Sequence, residues 1–118
     1  MAKLCALFAG QSVQETGMGV ELLKHAPARE AVERLKPFLG DDLEALLTTM
    51  PDEPLAKTFN AQRAIHASHT AHWLAYKAYH PDVELDGAVG HSMGVVAALV
   101  AAQALTHEDS GRFIAPPA

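Results

Sequence analysis

Five apolar residues in a row, Leu4 to Phe8, stop at Ala9-Gly10. An unbroken run of that length predicts a strand buried on both faces of a parallel sheet. Polar, glycine-flanked Gly10–Gly17 reads as a loop, and Met18, Val20, Leu22 and Leu23 suggest a short helix after it. Pro27 suits the first turn of the next helix, which turns Ala31, Val32 and Leu35 inward until Pro37 ends it. Asp41 or Asp42 is placed to cap a third helix carrying Leu43, Leu46 and Leu47, and the stretch from Met50 to Pro54 reads as a loop.

The longest helix is expected from about Asn60 to Tyr79, where Ala64, Ala67, Ala71, Ala75 and Ala78 form a small-residue stripe for close packing. Pro81 to Gly87 is a turn region, and Ala88-Val89 marks a second strand. Ser92 to Ala104 is apolar nearly all round and predicts a central helix. Thr106, with Asp109 three residues on, resembles a capping box for one more helix. Strands alternating with helices imply an α/β fold, a parallel sheet flanked by helices. Only two strands are legible. Two strands cannot cover the faces of so many apolar helices, so residues 1–118 read as part of a domain.

Hydrophobic residues are 49% and charged residues 19% of the chain, which indicates a globular protein. No apolar stretch reaches the roughly 18 residues a membrane span needs, and the N-terminal run is too short for a signal peptide. A cytoplasmic location with no membrane partner is the resulting expectation. The single Cys5 reads as a small buried hydrophobe. A net charge of −5, with Lys24, Arg29, Arg34, Lys36, Arg63 and Lys77 interspersed among acids, leaves no basic stripe for nucleic acid and reads as solvated helix surface. His66, His69 and His72 stand at three-residue spacing. The outer two lie about 240° apart around a helix with no cysteine or carboxylate near in sequence, so surface or partly buried histidines are expected, not a metal site. Trp73, Tyr76 and Tyr79 read as core packing and helix surface.

The motif that carries chemistry is Gly90-His91-Ser92-Met93-Gly94, a G-x-S-x-G between a strand and an apolar helix. A serine on so sharp a turn has its hydroxyl pushed clear of the backbone. The flanking glycines are needed because side chains there would collide with strand and helix. The amides that open the following helix, with the positive end of its dipole, face a developing oxyanion. His91 adjoins the serine but diverges from it at an elbow, so it is assigned a packing or hydrogen-bonding role. His107 lies roughly 20 Å along mostly helical chain from Ser92.

Several segments together resemble the acyltransferase family that loads malonyl groups onto acyl carrier protein. Phe8-Ala9-Gly10-Gln11-Ser12-Val13-Gln14 and Gly17-Met18-Gly19 resemble its opening F-P-G-Q-G-S-Q and G-M-G. Thr58-Phe59-Asn60-Ala61-Gln62 is similar to its T-x-x-x-Q segment. Gly90 to Gly94, with Ala98-Leu99-Val100-Ala101 after it, is similar to G-H-S-x-G-E-x-x-A-L-V-A, and Glu108-Asp109 matches an acidic pair. The resemblance implies an α/β-hydrolase-like acyltransferase fold, incomplete here. It makes Ser92 the nucleophile, the backbone amides of Gln11 and Met93 the oxyanion hole, and Gly10, Gly90, His91 and Gly94 the elbow's support. It implies malonyl-CoA or another acyl-CoA as substrate, acyl carrier protein as partner, and no cofactor or metal.

Ala9, Ser12 and Val13 depart from the family's Pro, Gly and Ser, and Val95 stands where Glu is usual. The family's base histidine, carboxylate-binding arginine and small ferredoxin-like subdomain come later in its sequence, the arginine falling about where Pro116, Pro117 and Ala118 stand. Negligible activity of the isolated chain is therefore expected. The same motifs leave open the acyltransferase-like subunit of malonate decarboxylase, a serine hydrolase or esterase, and a non-catalytic truncated chain that binds a partner.

Overall fold

The computed structural model describes residues 4–10, 13–91 and 94–114. Strand β1, Cys5–Phe8, pairs in parallel with β2, Gly87–Gly90, in the register Cys5 to Gly87 through Phe8 to Gly90. Between them run a 3-10 turn at Leu22–Lys24 and helices α1, Ala26–Leu39; α2, Leu43–Thr48; α3, Asp52–Leu55; and α4, Thr58–Tyr79. After β2 come α5, Gly94–Ala101, and α6, His107–Ile114. This is an α/β arrangement with a parallel sheet and flanking helices.

Helix α4 is the spine. Its alanine stripe at 64, 67 and 71 is fully buried and Ala75 nearly so, which lets α1 and α2 approach closely; Ala78 is exposed. Leu35, Leu39, Leu43, Leu46, Leu47 and Leu55 complete this helical core. A second cluster, with Phe8, Ala97, Ala98 and Ala101 at its centre, joins the sheet to α5.

The structure corrects several expectations. Pro37 lies inside α1 because a proline in the last turn leaves the two following residues free to stay helical until Gly40, at φ +112°, turns the chain away. The expected loop at Met50–Pro54 contains α3, a single turn begun after Pro51 with Asp52 and Glu53 at its positive end. Asp52 also accepts hydrogen bonds from the backbone N–H and hydroxyl of Thr16, at 3.1 and 2.6 Å, which holds the first loop region against this turn.

Asp42 precedes α2 but does not cap it through its side chain. Its carboxylate accepts from Arg63, at 2.6 and 3.1 Å. Arg63 is buried, not solvated surface; it also donates to the Leu39 carbonyl and to Asn60 and lies 4.4 Å from the Phe59 ring centre. That guanidinium holds the Asp42 carboxyl below the usual carboxylate range.

The strands are buried on one face only. Ala6, Phe8 and Ala88 pack toward α5, whereas Cys5 is exposed and Leu7 and Val89, opposite each other in the register, are 77% and 57% exposed. A five-residue apolar run is compatible with either situation, so the sequence pattern could not distinguish them. Among the described residues no helix is long and apolar enough to cross a membrane.

Candidate active site

The end of β1 and the turn after β2 meet. The His91 N–H donates to the Phe8 carbonyl at 3.0 Å, carrying the ladder one residue past β2. The Gly94 N–H donates to the His91 carbonyl at 3.0 Å, and α5 starts at Gly94. Both elbow glycines are required by close approach. A Cβ on Gly94 would lie 2.7 Å from the Ala9 carbonyl oxygen and nearer still to that of Phe8. A Cβ on Gly90 would overlap the Gly94 carbonyl and the Val95 nitrogen. These are backbone atoms and cannot swing aside. The collisions expected of side chains flanking the elbow are thus found.

Ser92, Met93 and Gln11 lie outside the described residues. What the structure brings together is residues close to them in the chain: Phe8 and Ala9 before the one stretch, His91 and Gly94 around the other. Gly10 is buried, and His91 is exposed.

The histidines of α4 have three different fates. His72 is exposed, and its Nδ1 bonds the Ser68 carbonyl one turn back, at 2.7 Å. His69 is half-buried; its Nε2 donates to the Ala9 carbonyl at 2.7 Å, and its ring meets Phe8 edge-on at 5.6 Å. Loss of hydration lowers its pKa despite that hydrogen bond, so the ring is neutral at pH 7.

His66 is fully buried, contrary to the surface or partly buried position expected of it. Its Nε2 stands 2.7 Å from the Ser110 hydroxyl, which itself donates to the His107 carbonyl at 2.5 Å. The nitrogen must therefore be the donor in the first bond, and Nδ1 has no hydrogen-bond partner among the described residues. Burial, with smaller contributions from His107 and His69, pushes His66 down to about 3. His107 is likewise held down by burial and donates from Nε2 to the Ala31 carbonyl at 2.9 Å. These bonds pin α6 to α4 and α1, and they commit both rings to structure. Among the described residues no cluster of three His, Cys, Asp or Glu side chains is arranged to hold a metal ion.

Helix α5 is not buried all round. Val95 and Leu99 are exposed and line, with Gln62, Leu105 and Phe113, an apolar groove of about 540 Å³ that starts beside the elbow's first helical turn. Gln62, the last residue of the Thr58–Gln62 segment, is thereby placed opposite Val95. At the end of α5, Gln103 at φ +63° breaks the helix before the expected Ala104. Thr106 accepts from the Asp109 N–H at 3.0 Å, as a capping box requires. His69 is partly buried, as its spacing on the helix predicts, but the sequence pattern gives no sign of its bond to the Ala9 carbonyl. No spacing rule marks a histidine whose partner is 60 residues away.

The acyl transferase domain family matches residues 6–116. The malonyl CoA-acyl carrier protein transacylase of Haemophilus influenzae is 32% identical over 115 residues, 97% of this chain and 37% of that protein. That of Bacillus subtilis is 35% identical over 111 residues, 93% of this chain and 34% of that protein. A malonyl-transacylase solved in complex with its type II polyketide synthase acyl carrier protein superposes with a TM-score of 0.85 at 29% identity, covering 96% of this chain and 37% of its own. The chain spans about a third of the length of the curated relatives it matches. With this match along residues 6–116, nearly its whole length, the chain belongs to the acyl transferase domain family.

Proposed function

We propose that this chain carries the nucleophile of a malonyl-CoA:acyl carrier protein transacylase. The observation that supports the reading is the meeting of Phe8–Ala9 with Gly94 and His91, residues that flank Gln11 and Ser92 in the chain. In the proposed reaction the Ser92 hydroxyl attacks the thioester carbonyl carbon of the acyl-CoA. The O–C bond forms, the C–S bond breaks, and the serine proton passes through a base to the departing CoA sulfur. The amides of Gln11 and Met93 hold the oxyanion in between. The pantetheine thiol of acyl carrier protein then takes the acyl group by the reverse sequence. The acyl-CoA is the substrate, and no cofactor enters the scheme.

His66 and His107 are neutral, but both are buried and bound to α6 and α1, and His69 is bound to the first loop. All three rings are thus engaged in hydrogen bonds to Ser110, Ala31 and Ala9. The isolated chain is therefore expected to transfer no measurable malonyl group to carrier protein, since loss of the base in serine–histidine systems costs several orders of magnitude. Imidazole added as a diffusible base is expected to restore the first half-reaction. Intact-mass and peptide mapping after malonyl-CoA treatment should find one malonyl group on Ser92, and none in Ser92→Ala. Malonylation scattered over lysines and unchanged in Ser92→Ala refutes the nucleophile reading. Carrier-protein turnover without imidazole, abolished by Ser92→Ala, refutes the inactivity.

A further inference from the structure

We propose that α6 is an acid-released strap: a proton gained by the buried imidazoles of His66 and His107 undocks it from α4 and α1 while the leucine core beneath stays folded. The inference does not depend on the proposed chemistry.

Two of the bonds that hold α6 are made by histidine rings. His66 of α4 donates from Nε2 to the Ser110 hydroxyl at 2.7 Å. His107, in the first turn of α6, donates from Nε2 to the Ala31 carbonyl of α1 at 2.9 Å. Arg34 pairs with Glu108 at the exposed rim, where an ion pair contributes little. Arg112 lies over the Phe38 ring, 4.6 Å from its centre. Gly111 lets the two helices touch, since a Cβ there would come within 2.9 Å of Leu35 Cδ2 and 3.1 Å of Phe38 Cβ.

Both rings can gain a proton only on Nδ1, because Nε2 already carries one. Each Nδ1 is buried with no hydrogen-bond partner among the described residues. A proton there makes a buried cation whose new N–H has no acceptor. Burial is the main influence against charge on both rings. For His66, His107 from α6 and His69 on its own helix add to it. For His107 the Ala31 bond favours charge, Arg34 of α1 opposes it, and Glu108 of α6 favours it. Arg63, one turn before His66, is turned to Asp42. Helix α5 packs on α4 and α6 and has no titratable side chain. Of the other elements against α4, Glu44 of α2 pairs with Arg29, Asp52 of α3 with Thr16, and Lys24 of the 3-10 turn with Glu21, while Glu53 is exposed.

Opening is how such a cation regains water. When α6 leaves, His107 goes with it, and His66 loses the helix that covers its Nε2 side. Hydrating the rings with α6 in place would instead part α1 from α4 and break up Leu35, Leu39, Leu43, Leu46 and Leu47. The eight-residue α6 is therefore the element that yields. It also supplies Phe113 and Ile114 to the groove lined by Val95 and Leu99, so its release removes one wall of that groove.

The test is native-state hydrogen exchange of the ¹⁵N-labelled 118-residue chain at pH 7 and pH 5 in low urea, read at amides 110–114 in α6 and 64–71 in α4. A histidine kept neutral by burial raises the open-to-closed ratio about tenfold for each pH unit below about 6.5. Protection of the α6 amides should therefore fall about thirtyfold or more between the two pH values. It should stay about tenfold or more below that of α4, with a shallower urea dependence, as an opening smaller than global unfolding requires. In the double variant His66→Gln/His107→Gln, whose amides keep N–H donors but do not titrate, the fall should shrink to about threefold or less.

One protection factor and one urea dependence shared by α6 and α4 at pH 5 overturn the proposal, since the rings would then titrate only on global unfolding. So does a pH response of α6 as large in the double variant as in the parent. Should the double variant fail to fold, His66→Gln alone takes its place: a smaller fall than the parent's supports the strap, and an equal fall overturns it. If neither variant folds, the comparison of α6 with α4 in the parent decides.

Discussion

Gly94→Ala is expected to destabilise the chain by about 3 kcal/mol or more, although the same change inside an ordinary helix stabilises by about 0.5–1 kcal/mol. The reversal of sign is diagnostic. Gly94 has helical backbone and opens α5, so intrinsic propensity favours alanine. Against this, the new methyl carbon would enter space held by the carbonyl oxygens of Phe8 and Ala9, the atoms that receive the His91 and His69 hydrogen bonds. Relief requires moving α5 away from β1, which opens the cluster of Phe8, Ala97, Ala98 and Ala101. Urea unfolding of the two proteins measures the difference. A stability equal to or above the parent's would mean that the elbow and the first loop are not in contact.

Acid sensitivity provides the second large effect. His66 titrates near 6.5 when unfolded and at about 3 when folded. Between those values the unfolded chain binds a proton that the folded chain refuses, so stability falls as pH falls. The contribution is complete above about pH 6.5 and is lost progressively to about pH 3, at about 1.4 kcal/mol per pH unit and about 4–5 kcal/mol in all. That is a large part of the stability of a domain this size. His107 and His69, both also held down chiefly by burial, act in the same direction.

The carboxylates whose pKa values are lowered, Asp42 among them, begin to act only below their ordinary range, so the interval from pH 6.5 to 5 belongs to the histidines. Urea midpoints across that interval should fall steadily in the parent. In His66→Gln, which keeps an N–H toward Ser110 but does not titrate, the slope should be visibly flatter. Equal slopes in the two proteins would show that His66 is not buried neutral as found.

The parts of this fold legible in the sequence are those fixed by local pattern. The alanine stripe of α4 and the two strands are dictated by periodicity, and the tight packing of Gly90 against Gly94 by glycines within a few residues of each other. The Thr106–Asp109 cap was legible for the same reason. What escaped depends on partners distant in sequence. Arg63 reads as surface until Asp42, 21 residues earlier, and the Leu39 carbonyl surround its guanidinium. His66 reads as a polar helix residue until Ser110 arrives from α6. The bare outer face of Leu7 and Val89 could not be read from runs too short to reveal a period of two. At the site, the elbow's glycines announce a turn, but the strand end against which it closes is fixed only by the parallel register of β1 and β2.

Whether the hydroxyl at position 92 faces the amide at position 11 can be asked directly by nuclear Overhauser spectroscopy on the labelled chain. A cross-peak between the Ser92 β-protons and the Gln11 amide proton, with an interruption of helical contacts between Gly90 and Gly94, is the predicted result. Continuous helical contacts from Val89 through Val96, with no cross-peak to Gln11, would contradict it.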